Sequence, residues 1–229
     1  MPDKKAILFM FLATFGFAVQ DSVVKILSVT GSLWQLMLLR AFLVIFILVV
    51  WSKSFARSSS MTPVGWFWPI LRGVFMSFAY TLFYASLPFV SLSEAATCFF
   101  TAPIFVCIFS SIFLKETIGW TRVTAVIVGF LGVLLIIQPE QSEVNFVLFL
   151  PLMAGISYAF AVVITRGFCK EQPSLSLTFS HNILYACIGF LMVSLLPILP
   201  FNNEIRSTNT FFFMGWVSLT QEILLLIGA

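Results

Sequence analysis

Apolar residues run in long stretches along this chain, and polar residues collect in short seams between them. The stretches fall near 6–28, 33–52, 66–87, 91–114, 120–138, 146–166, 176–198 and 210–228. A hydrocarbon core about 30 Å thick takes about 20 apolar residues per helix, which is the length each stretch offers. The pattern predicts an all-α, polytopic membrane bundle of about eight transmembrane helices. Composition agrees: 60% of residues are hydrophobic and 9% charged, with a mean hydropathy of +1.07. A water-soluble domain of that make-up would have no polar surface to present.

Lysine and arginine set the expected orientation. Alternating the seams puts Lys4, Lys5, Lys53, Arg57, Arg72, Lys115, Arg122, Arg166 and Lys170 on one side. The other side receives Arg206 with Glu140, Glu143 and Glu204. Cytoplasmic loops carry the excess of basic residues, so the N-terminus is expected inside. The net charge of +3 follows from this asymmetry, and no nucleic-acid partner is read from it. Trp34, Trp51, Trp66, Trp68 and Trp120 sit near the predicted helix ends, where indole rings anchor at headgroups. Lys4 and Lys5 precede the first stretch as they would in a signal peptide. That stretch is long, however, and holds Asp21 and Lys25 instead of a small-residue cleavage site, so it is read as a retained helix. Cys98, Cys107, Cys169 and Cys187 form no paired metal spacing and are read as packing residues, with no cofactor implied.

Most seams are short (Val29 to Ser32, Pro88 to Val90, Thr117 to Gly119), which makes successive helices antiparallel neighbours. The longest, Lys53 to Gly65, is serine-rich and is expected to be a mobile cytoplasmic linker. The acidic seam from Glu140 to Glu143, after Pro139, marks the midpoint. The two sides of it correspond at an offset of 141 residues: Phe17-Ala18 meets Tyr158-Ala159, Lys25 meets Arg166, and Arg40 meets His181. Residues 1–139 then form a first repeat of five helices and 140–229 a second with three. An odd number of helices per copy inverts the second copy, and inverted repeats place a solute site near the midplane between them.

Charges at membrane depth are the candidate chemistry, since each costs about 2.5–3.5 kcal/mol on insertion scales. Asp21 and Lys25 lie four apart on one face of the first helix, as an intrahelical pair or as part of a cavity wall. Arg40 lies about two turns into the second helix and has to face the bundle, with Asp21 as an available carboxylate. Glu94 follows Ser91 and Ser93 and reads first as a helix cap. Glu222 is the other deep acid and falls near Tyr80 in the repeat. Tyr80 and Tyr84 share a helix face, and Tyr158 projects from the sixth helix; ringed hydroxyls suit a flat or cationic solute. His181 and Asn182 lie in the seventh helix, where an interhelical hydrogen bond is the commoner use of such groups. The candidate solute-binding set is therefore Asp21, Lys25, Arg40, Tyr80, Tyr84, Tyr158, His181 and Glu222. Ala125, Gly129 and Gly132 form a small-residue stripe suited to helix packing, within the chain or in a homo-oligomer. No metal constellation, phosphate loop or nucleophile–base pair points to an enzyme.

Further residues carry a family resemblance. Phe15-Gly16-Phe17-Ala18, Arg40, Leu87-Pro88, Ser93-Glu94-Ala95-Ala96, Pro103, Leu114-Lys115-Glu116-Thr117 and Gly129-Phe130-Leu131-Gly132-Val133 to Gln138-Pro139 resemble, in that order, one EamA domain of the drug/metabolite transporter superfamily. The resemblance spans 6–139, and the helices after Ala154 are similar to the start of a second copy. It implies a ten-helix bacterial inner-membrane carrier of small metabolites. A subgroup that imports S-adenosylmethionine is the most similar in flavour, through Asp21, Lys25 and Leu71-Arg72-Gly73. Against ten helices the second copy is two short at Ala229. Two expectations follow: a truncated or frameshifted product without transport, or a short form completed by oligomerisation.

Overall fold

The computed structural model describes residues 4–28, 31–54, 61–117, 119–137, 146–199 and 210–217. Its helices are α1 (Lys4–Leu27), α2 (Leu33–Ser54), α3 (Phe67–Ser86), α4 (Leu92–Phe99), α5 (Ala102–Leu114), α6 (Trp120–Ile137), α7 (Phe149–Phe168), α8 (Ser174–Leu195) and the short α9 (Thr210–Phe213). A 3-10 turn, Phe146–Leu148, leads into α7. No strand occurs among the described residues, and five spans are long and apolar enough to cross a membrane: Ile7–Leu27, Leu33–Lys53, Leu92–Leu114, Phe146–Phe168 and Ser174–Leu195. The expected all-helical membrane bundle is what forms.

Helix α3 is the centre of it, packing on α7 along one side and α8 along another, while α2 lies on α8 and α5 on α7. Small residues allow these approaches. A side chain at Gly189 would stand 3.1 Å from Leu38 N and Trp34 O, so α2 and α8 nearly touch through backbone. Ser157 Oγ of α7 donates to Phe75 O of α3 at 2.8 Å, and Phe75 stacks on Phe160 at 5.2 Å. The principal core gathers Met37, Ala41, Phe83, Tyr84, Ala95, Ala154 and Tyr185 from α2, α3, α4, α7 and α8, with Leu87 from the α3–α4 seam. By contrast α1 is buried among the described residues only at its end, at Val24, Leu27 and Ser28.

The ends of the bundle are tied separately. Val64 pairs both backbone groups with the Gln172 side chain, N to Oε1 at 3.0 Å and O from Nε2 at 2.5 Å. That end of the Lys53–Gly65 seam is therefore fastened to the α7–α8 turn and is not a free linker; residues 55–60 lie outside the described ones. Arg166 and Glu116 pair at 3.3 Å near the same end. Alternating seams require Val64, Glu116, Arg166 and Gln172 to share a side, and they do.

Two expected helices differ. The stretch 91–114 is broken at Phe100 and Thr101, giving α4 and α5. Pro103 sits in the first turn of α5, where its missing N–H costs nothing. The stretch 210–228 is helical only to Phe213 within the described residues, and Met214–Val217 are not helical. Side chains of the α1–α2 seam and of α2 take over the backbone bonds there. Ser32 Oγ donates to Met214 O at 2.6 Å, Trp34 Nε1 to Phe212 O at 2.8 Å, and Gln35 bonds both N and O of Val217. With those groups satisfied from outside, the segment gains nothing by continuing as helix.

Gly189→Leu should force α2 from α8 and lower the melting temperature of the detergent-solubilised protein, at a cost of about 1–3 kcal/mol. Gly129→Leu, where a side chain meets nothing within 4 Å, should leave it unchanged; equal losses in both would contradict the backbone contact.

Candidate functional site

Four helices bring polar groups to one place beside α3. Tyr84 is at its centre, 3% exposed. Its hydroxyl donates to Asp21 Oδ1 of α1 at 3.1 Å and accepts from the Gln20 amide of α1 and from Arg40 Nη1 of α2 at 3.4 Å. A phenol has one proton to give and two lone pairs to offer, so all three are used. Arg40 also lies over the Tyr80 ring, 4.8 Å from its centroid, and within 5.9 Å of the Tyr185 ring of α8. Cation–π contacts of this kind are worth about 0.5–2 kcal/mol when desolvated. His181 of α8 completes the group, 6.0 Å from Tyr80 and 5.5 Å from Tyr185 between ring centroids.

The geometry follows from helix periodicity. Gly73, Ser77, Tyr80 and Tyr84 recur at three- and four-residue intervals and share one face of α3. Gly73 lets α8 come close: a Cβ there would meet Leu184 at 3.3 Å and the His181 Cα at 3.7 Å. His181 and Tyr185, four apart, then present their rings to Tyr80 together.

Of the predicted residues, Asp21, Arg40, Tyr80, Tyr84 and His181 are brought together. Asp21 and Arg40 meet through Tyr84 and not as a direct ion pair, since Arg166–Glu116 is the pair found within 4 Å among the described residues. The Asp21–Lys25 intrahelical pair does not form either. Lys25 Nζ turns to the Val90 carbonyl at 2.8 Å and to that of Leu87, the α3–α4 seam, whose carbonyls lack helical partners. Tyr158 lies on the α7 side, its ring 5.4 Å from Phe99 and its hydroxyl within electrostatic reach of Tyr80 and Arg72. His181 Nδ1 is buried without a bond of good geometry, and the Gly73 backbone of α3 is the polar group that faces its ring. Glu222 lies outside the described residues. Glu94 is a cap, in a capping box with Ser91: Ser91 N to Glu94 Oε2 is 2.8 Å and Glu94 N to Ser91 Oγ is 3.2 Å.

Gln20 and Tyr185 were not singled out from the sequence. Gln20 carries no charge to mark it, although its position beside Asp21 on α1 was a usable signal. Tyr185 was signalled by its four-residue spacing from His181.

A polar cluster held between packed helices of an apolar bundle marks a polytopic membrane protein, not a single-span anchor. The profile of the EamA-like transporter family matches residues 4–138, and the chain belongs to that family. It is 27% identical over 136 residues to the S-adenosylmethionine uptake transporter of Rickettsia conorii, covering 59% of this chain and 46% of that one. The riboflavin transporter of Vibrio cholerae is 24% identical over 171 residues, covering 73% of this chain and 57% of its own. The pseudopaline exporter CntI of Pseudomonas aeruginosa strain UCBPP-PA14 is 24% identical over 225 residues, covering 97% and 77% respectively. The chain thus spans about half the length of the S-adenosylmethionine transporters it matches. No solved structure matches.

Because one hydroxyl joins Asp21 and Arg40, Tyr84→Phe and Asp21→Asn should be non-additive in unfolding free energy by about 0.5–3 kcal/mol. A double-mutant cycle by thermal unfolding in detergent measures this; additivity would show that Tyr84 and Asp21 act independently.

Proposed function

We propose that this chain works as a secondary transporter of a small organic metabolite, moved by alternating access, with the Tyr84-centred cluster as its solute site. Arg40 carries the reading. It is a half-buried guanidinium at membrane depth whose partners are a phenol and two ring faces, with no carboxylate within 4 Å among the described residues. A cation held in that way has attraction to spare for an anionic group on a solute. Asp21 sits one hydroxyl away and suits a cationic group. Tyr80 and Tyr185 supply flat faces beside both. Together they favour a zwitterion of amino-acid- or S-adenosylmethionine-like chemistry.

Relatives with printed activities of uptake and export support transport as the general activity, and their differing solutes leave the direction to experiment. The basic residues of alternate seams favour a bacterial inner-membrane protein with its N-terminus in the cytoplasm. The offset of 141 residues supports the inverted repeat through two observations: Arg40 and His181, which it pairs, flank the same Tyr80 ring, and Lys25 and Arg166, which it also pairs, each pin a helix end.

Reconstituted in vesicles, the protein should take up labelled S-adenosylmethionine or an amino acid. Arg40→Gln and Asp21→Asn should each lower uptake by more than about tenfold, since losing one partner of a buried charge contact costs about 2–5 kcal/mol. Undiminished uptake by correctly folded Arg40→Gln protein would remove this cluster from the function.

A further inference from the structure

A second half-buried guanidinium lies along α3 from the first. Arg72 donates through Nε to Thr165 Oγ1 of α7 at 2.8 Å and through Nη1 to Leu177 O of α8 at 3.4 Å. Both acceptors are neutral, and no carboxylate lies within 4 Å of Arg72 among the described residues. Five N–H donors on a guanidinium exceed what two acceptors use. Arg72 and Tyr80 are about 12 Å apart along the helix axis at 1.5 Å per residue.

The space between the two arginines is not ordinary core. Ser77 Oγ is buried there without a hydrogen-bond partner, and His181 Nδ1 is buried with no bond of good geometry, the Gly73 backbone being the polar group that faces its ring. The His181 backbone lies beside Gly73, next to Arg72, while its ring reaches Tyr80, which Arg40 covers. Each orphaned polar atom costs about 1–3 kcal/mol in a purely structural interface. Two of them in a row between two guanidiniums, neither of them in an ion pair within 4 Å among the described residues, describe a path for a negatively charged group.

We propose that Arg72 is a second anion-binding station. An anionic group of the solute held at Arg40 passes along the α3–α8 seam, past His181 and Ser77, to Arg72 at the end of the bundle where Val64 meets Gln172. The inference rests on the Arg40 cluster being the solute site and adds the route by which the solute's anionic end leaves it.

The test reads the charge selectivity of the seam and needs no transport. Full-length protein in vesicles carries a single cysteine at Ser77→Cys, its native cysteines replaced, and a second variant keeps Cys169 alone near Arg72. Each is labelled with sulfonatoethyl (anionic) and trimethylammonioethyl (cationic) methanethiosulfonates, and the rates are divided by those for a free thiol. The anionic reagent should be favoured by about tenfold. Arg72→Gln should abolish that preference, and Arg72→Lys should keep it. Should Ser77→Cys not fold, Cys169 gives the same reading. Equal rates, a cationic preference, a preference surviving Arg72→Gln, or no labelling in either variant would each overturn the proposal. A preference that holds while Arg40→Gln transports normally would sink the solute-site reading and leave the anion station standing.

Discussion

The Tyr84 hydroxyl is the point on which the polar half of this molecule turns. In hydrocarbon no water stands ready to fill an unused donor or acceptor, so a polar group is stable there only if the protein meets it. Tyr84 gives its proton to Asp21 and receives from Gln20 and Arg40, which joins α1, α2 and α3 at one oxygen. The acid and the cation are thereby kept near each other without neutralising one another. A direct ion pair would be more self-sufficient and less available to a third party.

Around that point the helices divide their work. α3 carries Arg72, Ser77, Tyr80 and Tyr84, and neighbours cover most of it, so its polar side chains face protein. Its neighbours contribute small residues such as Ala154 and Ser157 where they touch, together with the rings of Phe160 and Phe168 stacked on Phe75 and Trp68. Outward-facing Phe42, Phe46, Phe78 and Phe190 are exposed and suit acyl chains. The charged ends then take the short seams: Lys25 holds the α3–α4 carbonyls and Arg166 holds Glu116. Positive charge is used in three ways here, as a cap, as an ion-pair partner and as a cation facing only aromatic rings and neutral oxygens.

Much of the fold was legible because lipid makes a simple demand on sequence. Helix lengths, the Glu94 cap and the inward turn of Arg40 all follow from the cost of polar groups in hydrocarbon, which any reader of the chain can apply locally. What escaped was decided by groups distant in sequence. The break at Phe100 falls within a continuous apolar run, and nothing there but Pro103 hints at it. The end of helix at Phe213 depends on Ser32, Trp34 and Gln35, far along the chain. Lys25 looked paired with Asp21 because they are four apart, yet carbonyls of a remote seam compete better. Of the site, the charged members and the rings of Tyr80, Tyr84 and His181 were readable, while Tyr185 and the uncharged Gln20 were not, since a lone ring in an apolar run and an amide both leave little trace in a hydropathy pattern.

Helix α1 gives these arrangements a mechanical meaning. Lys25 and the buried Val24, Leu27 and Ser28 fasten its last turns, while its earlier turns meet none of the described core. Asp21 lies close to that fastening, so the long arm before it, which meets little among the described residues, acts as a lever with the carboxylate near its fulcrum. A sideways swing of several ångströms at the lipid-facing end of α1 becomes a displacement of a fraction of an ångström at Asp21. The bilayer's thermal agitation reaches the acid only in that reduced form, and its position is set by the fulcrum rather than by the arm.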